Sequence, residues 1–274
     1  MDKKREKRIL QILNILTPIL CGVFIALLNV DFVGSLTDEA YSKLLSPAPF
    51  TFAIWGPIFI FQALFYFYQA RDILKPPEEQ IEMPYVHEVS VFFFLSWAST
   101  TAWYALWSLG YIWPAIGAMF AYLITSLGAY LRLGINKRDR PLKEHLFVTV
   151  AWSMLSAWVT VAAIVNTTTG LVSIGFDSGP LGESGWTVLV LLMTLIIYIS
   201  VLVTRNDFIF TGVGLWAIIG IIGERLSPAS TPAPDVTAVA ILGALILAVL
   251  MLIWLIYLHK KESIQIIQKL RNWR

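Results

Sequence analysis

The stretch that decides the fold is PAPFTFAIWGPIFIFQALFYFYQ, Pro47–Gln69. It is apolar and long enough to cross a bilayer, whose hydrocarbon core is about 30 Å thick. It also begins with two prolines, contains the pair Gly56-Pro57 and is crowded with aromatic rings. A proline inside a helix removes one backbone hydrogen bond and usually bends the helix. We therefore predict a bent membrane helix that turns its aromatic face inward.

The composition of the whole chain places it in a membrane. Of its 274 residues, 57% are hydrophobic and only 14% are charged, whereas a soluble domain of this length needs a larger charged surface. A net charge of only +2 does not indicate a nucleic-acid-binding protein. The single Cys21 lies in an apolar segment, which excludes a disulfide framework and a cysteine-based metal site. The lipid bilayer of a plasma or inner membrane is the first expected partner.

Eight apolar runs predict an all-α, polytopic transmembrane bundle of eight helices. If the N-terminus lies inside, 18 of the 20 Lys and Arg residues fall on inner segments, leaving Lys43 and Arg225 outside. This asymmetry predicts that both termini are cytoplasmic and that the first helix is retained. The end of the chain, 262–274, suits a short amphipathic helix on the membrane surface or a solvated tail. The predicted spans are 9–30, 49–70, 88–109, 111–133, 145–166, 185–204, 207–223 and 235–258.

The sequence lacks the residue patterns that are typical of catalytic and metal-binding sites. No Asp, Glu, Lys or Arg lies at the middle of a predicted span, which argues against ion-coupled transport. His87, His145 and His259 lie on the inner side without the spacing typical of metal or haem ligands. No serine nucleophile pattern or phosphate-binding glycine motif is present. We expect no catalytic residues, no metal site and no required cofactor, and binding is favoured over enzymatic activity.

Rings and uncharged polar groups instead recur at helical spacing. The second span carries Phe52, Trp55, Phe59, Gln62, Tyr66 and Gln69 on one face. An apolar cavity with aromatic walls and a few hydrogen-bonding groups is the usual form of a small-molecule site. Membrane helices also pack through such residues, so core packing and ligand lining both stay open for five deep tryptophans. These are Trp55, Trp103, Trp152, Trp158 and Trp216.

Three motifs resemble the TspO/MBR family, the tryptophan-rich sensory proteins that include the translocator protein. PFTFAIWGPIF is similar to the family's second-helix run, with Gly56-Pro57-Ile58-Phe59 at its Gly-Pro-Val-Trp. WVTVAAIVN, residues 158–166, resembles the fifth-helix run in which Asn follows Trp by eight residues. TTAWYALWSLG resembles the third-helix stretch, with Thr100 where the family has Asn. NDFIFTGVGLWAIIGI resembles a stretch of longer, eight-helix relatives.

The resemblance implies two parts, a five-helix membrane domain over 1–170 and a three-helix extension with the tail over 171–274. It implies that the bend at Gly56-Pro57 faces a central pocket for a porphyrin-type ligand or another flat hydrophobic molecule such as a sterol. The expected function is a ligand sensor or carrier. A facilitative transporter and an enzyme that degrades a bound tetrapyrrole are the alternatives, and a homodimer is a candidate assembly. The expected lining is Trp55, Phe59, Gln62, Trp103, Trp107, Trp158 and Asn166.

Overall fold

The structure, a computed structural model, is described here for residues 3–28, 44–176 and 178–271, with side chains through Lys261 except that of Pro77. Among these residues it is all-helical and contains eight long helices in the predicted order. The predicted loop 31–47 lies mostly outside the described residues. The helices are α1 (Lys3–Leu28), α2 (Trp55–Ala70), α3 (Phe92–Ser108), α4 (Ile112–Arg132), α5 (Val150–Ser173), α6 (Gly182–Arg205), α7 (Phe208–Arg225) and α8 (Pro234–Arg271).

The lengths and hydropathy of these helices confirm a polytopic membrane bundle. Seven of the eight are, with their flanking turns, at least 18 residues long and apolar enough to cross a bilayer. The eighth, α3, has 17 residues. It follows a separate short helix, Pro84–Val89, so the predicted span 88–109 joins two elements. Large apolar side chains on α8, such as Leu242, Leu245 and Val249, are exposed on the surface that lipid would cover.

The second span starts differently from the prediction. Pro49–Ile54 forms a 3₁₀ helix, and the α-helix begins at Trp55. Gly56-Pro57 therefore lies in the first turn of α2, where backbone N–H groups have no acceptor within the helix and a proline costs little. The predicted bend at Gly56-Pro57 is wrong in position, because the backbone instead changes helix type just before this pair.

Helix α5 is the central element of the bundle. Most of its residues are buried, and it packs against α2, α4 and α7. A π-helical turn, His145–Thr149, leads into it. It continues to Ser173, seven residues beyond the predicted end at Asn166, so the connection to α6 is shorter than predicted. The predicted tail has a helical backbone as far as Arg271 and continues α8, and its side chains lie outside the described ones.

Two charged side chains near helix ends, Lys7 in α1 and Asp72 just after α2, are buried, although residues at helix ends are usually exposed. Lys7 donates from Nζ to Asp72 Oδ2 over 2.7 Å, and Gln11 Nε2 donates to Asp72 Oδ1 over 2.8 Å. The Asp72 side chain is fully buried. Burial raises the pKa of the Asp72 carboxyl, but the hydrogen bonds from Lys7 and Gln11 outweigh it and hold the pKa below its ordinary value of 3.8.

The second buried carboxylate joins the first five helices to α7. Asp207 caps the N-terminus of α7, accepting from the backbone N–H groups of Ile209 over 3.1 Å and Phe210 over 3.0 Å. It also accepts from Tyr130 Oη on α4 and from Ser153 Oγ on α5, each at 2.8 Å. Four donors therefore compensate for burying this charge completely.

Candidate functional site

The first five helices form a partly open cavity of about 390 Å³. Its size lies within the range of small-molecule sites, about 300–1,000 Å³. The lining residues that the structure describes include no Asp, Glu, Lys or Arg. They are Ile25 from α1; Trp55, Ile58, Phe59 and Gln62 from α2; Phe93, Ser96, Trp97, Thr100, Trp103 and Tyr104 from α3; Tyr122 from α4; and Trp152 and Leu155 from α5.

Helix α2 contributes one wall of the cavity through residues spaced three or four apart. Trp55 and Phe59 stack with ring centroids 5.3 Å apart and an interplanar angle of 21°. Gln62, one turn further along, is buried and donates from Nε2 to the carbonyl of Ala151 over 3.0 Å. This hydrogen bond links Gln62 on α2 to the backbone of α5, so the Gln62 amide has a defined position in the cavity wall.

Helix α5 contributes the most deeply buried ring, Trp152, which has no exposed surface. Its ring meets Phe65 edge-on at 5.8 Å and Phe93 at 6.3 Å. Its indole Nε1 is buried and has no hydrogen-bond partner among the described residues. A buried indole N–H normally finds an acceptor, but because this nitrogen is itself buried, Trp152 presents its ring and not its N–H to the cavity.

Four of the seven predicted site residues line the cavity, namely Trp55, Phe59, Gln62 and Trp103. The other three lie behind the lining. Asn166 Oδ1 accepts from Trp103 Nε1 over 2.8 Å, and Asn166 Nδ2 donates to the carbonyl of Ala162 over 2.8 Å. Trp107 packs on Trp103 with centroids 6.2 Å apart. The geometry therefore assigns Asn166 and Trp107 to holding the Trp103 ring.

Trp158 also packs behind the cavity wall. Its ring meets Phe52 edge-on at 6.0 Å and Trp55 at 6.1 Å. The five deep tryptophans thus divide: Trp55, Trp103 and Trp152 line the cavity, while Trp158 and Trp216 pack against other side chains. Helical periodicity does not make this distinction, because lining and packing residues share the same inward face.

Sequence reasoning left out several lining residues. Ser96 and Thr100 lie on the same stripe of α3 as Trp103, and that spacing was available as a signal. Ile25, Ile58 and Leu155 carry no signal of their own, because an aliphatic residue in a membrane helix serves equally against lipid or a neighbouring helix. Within the described part of the chain, no group of three or more His, Cys, Asp or Glu residues converges as a metal site would require.

Comparisons with known proteins bear on the motifs that surround this cavity. The sequence matches the family described as TSPO-like protein over residues 9–254, which includes all five helices that line the cavity and most of the extension. Searches of curated proteins and of solved structures gave no match.

Proposed function

Because the chain belongs to the TSPO-like protein family, we propose that it binds a flat, hydrophobic small molecule within the membrane and acts as a sensor or carrier of that molecule. The family itself indicates a membrane ligand-binding or sensory protein. The observation that carries the proposal is the cavity of about 390 Å³ between the first five helices, whose described lining residues are uncharged.

The rings around the cavity favour a planar ligand. Trp55, Phe59, Trp103 and Trp152 come from three different helices. Aromatic rings bind other flat rings by offset stacking or edge-to-face contact, and each such pair adds about 0.5–1.5 kcal/mol beyond burial of area. A tetrapyrrole, or a sterol or isoprenoid with a flat face, matches this lining.

Uncharged polar side chains on the lining narrow the ligand class further. Gln62, Ser96 and Thr100 line the cavity and carry amide and hydroxyl groups that can form hydrogen bonds. We therefore expect the ligand to carry a hydrogen-bonding group on an otherwise apolar frame, as tetrapyrroles and oxygenated sterols do.

Titration of the detergent-purified protein with protoporphyrin IX tests the proposal. Saturable quenching of tryptophan fluorescence is expected, and Trp55→Leu, which removes a ring from the lining, should weaken binding about twofold to tenfold. Trp254→Leu is the matched control, because Trp254 lies on α8 and donates to Asn206 Oδ1, outside the cavity lining. Absence of saturable quenching by porphyrins, carotenoids and sterols would contradict the proposal.

The same preparation distinguishes the alternatives. Protein-dependent flux of protoporphyrin across liposomes would identify a carrier, and binding without flux would identify a sensor. Protein-dependent bleaching of the porphyrin under light and oxygen would identify turnover. We expect the absorbance of the bound porphyrin to stay constant, since the described cavity lining contains no His, Asp, Glu, Lys or Cys, the side chains other than Tyr that usually transfer protons.

A further inference from the structure

Helix α7, in the extension, contacts the 3₁₀ turn Pro49–Ile54 that starts the second span. Trp216 Nε1 donates to the backbone carbonyl of Thr51 over 2.8 Å. The backbone N–H of Ala48 donates to the carbonyl of Gly220 over 2.9 Å. Residues Trp216 and Gly220, four apart on α7, therefore bind the middle and the start of the 3₁₀ turn, respectively.

The contact is close enough to require glycine on α7. A Cβ at Gly220 would lie 2.0 Å from Thr51 Oγ1 and 2.6 Å from Thr51 Cγ2. A Cβ at Gly223 would lie 2.8 Å from a ring carbon of Phe50. The Phe50 ring also meets Trp216 edge-on at 5.7 Å. Glycine permits this approach of helix backbone to side chain.

The other side of the same turn forms part of the cavity wall. Phe52, within the turn, packs on Trp158 at 6.0 Å, and Trp55, the residue that follows the turn, packs on Trp158 at 6.1 Å. Trp55 in turn stacks on Phe59, and both line the cavity. A displacement of the turn by α7 would therefore move the Trp55 ring.

We propose that α7 is a positioning element for the ligand site and that Trp216 and Gly220 set the place of Trp55 through the 3₁₀ turn. The part of this inference that concerns affinity rests on the proposed function. The extension would thereby take part in ligand recognition, although none of its described residues lines the cavity. The alternative is that α7 contributes only to the stability of the bundle.

Two variants and a matched control test the inference. Trp216→Phe removes the hydrogen bond to Thr51 and keeps a ring against Phe50. Gly220→Ala places a methyl group against Thr51. Gly212→Ala is the control on the same helix, because its Cβ would meet only Met251 Cε, at 4.0 Å.

Hydrogen exchange of the backbone amides in 48–54, measured without ligand, gives a readout that does not depend on the proposed function. We expect about threefold to tenfold faster exchange in Trp216→Phe and Gly220→Ala, the size of one lost hydrogen bond. Protoporphyrin affinity should fall by a similar factor in both, and Gly212→Ala should change neither quantity.

A double variant, Thr51→Ala with Gly220→Ala, tests whether relieving the clash reverses the effect of Gly220→Ala. Thr51 Oγ1 has no hydrogen-bond partner among the described residues, so Thr51→Ala removes the two nearest of the three clashing atoms without breaking a bond and leaves only Thr51 Cβ, at 2.8 Å. In the Gly220→Ala background it should restore much of the slow exchange and of the affinity. Unchanged exchange in 48–54, or equal losses of affinity in Gly212→Ala, would overturn the inference. If the unmodified protein binds no porphyrin, the proposed function fails, and the exchange data alone decide whether α7 positions the turn.

Discussion

Replacing Asp207 with alanine should cost more stability than any exposed acidic substitution in this protein. Asp207 is fully buried and accepts from Tyr130, Ser153 and two backbone N–H groups of α7. Loss of an N-cap costs about 0.5–2 kcal/mol. Leaving two buried hydroxyl groups without their acceptor costs about 1–3 kcal/mol each. The expected loss is therefore about 2.5–8 kcal/mol, a large part of the stability of most folded domains.

Equilibrium unfolding in mixed micelles with increasing SDS, followed by circular dichroism, measures this loss. Asp207→Asn should cost less than Asp207→Ala, because the amide oxygen can still cap α7. Asp235→Ala is the matched control, since Asp235 also lies in the first turn of a helix but is exposed and accepts from Ser184. Equal unfolding free energies for Asp207→Ala and Asp235→Ala would refute the reasoning.

Two further predictions concern polar groups that link helices. Asp72→Asn should destabilise by about 3–5 kcal/mol because it leaves the buried ammonium of Lys7 without its counter-ion. Since folding lowers the pKa of Asp72 below 3.8, its contribution should be constant above about pH 5 and disappear as pH falls through the folded pKa; unfolding curves at several pH values measure this. Asn166→Ala removes the acceptor of Trp103 Nε1, so it should lower stability by about 1–3 kcal/mol and weaken porphyrin binding in the fluorescence titration.

Controls exist for both. Glu6→Gln changes a partly exposed carboxylate next to Lys7 in the chain, whose Oε1 lies 3.6 Å from His87 Nδ1, and it should leave the unfolding free energy nearly unchanged. Thr168→Ala, on the same helix as Asn166, removes only a bond to the carbonyl of Ile164. A destabilisation by Glu6→Gln equal to that by Asp72→Asn, or tighter porphyrin binding in Asn166→Ala, would contradict these predictions.

The number and order of the membrane helices could be predicted from sequence because hydropathy and length act locally. An apolar run of about 20 residues has few alternatives in a bilayer. The start of the second span could not be placed, because apolar residues at 49–54 fit a 3₁₀ helix and an α-helix equally well. The contact that accompanies the 3₁₀ turn comes from Trp216 and Gly220, more than 160 residues away along the chain.

The sequence could predict which helix faces point inward, but not which of the inward residues line the cavity. Spacing of three and four placed Trp55, Phe59 and Gln62 together, and all three line the cavity. Trp158 and Asn166 follow the same spacing on α5, yet they support the rings that line it. The burial of Asp207 was also hidden, because its partners Tyr130 and Ser153 lie on two other helices. The packing of helices against each other sets the distances between them, and a single sequence does not reveal this packing.

An experimental structure of the protein with protoporphyrin IX would show where the ligand binds. We expect porphyrin density between α2, α3 and α5, with the ring in contact with Trp55 and Trp103. Porphyrin bound on the lipid-facing surface, with the side chains of the first five helices closing the cavity between them, would contradict this expectation.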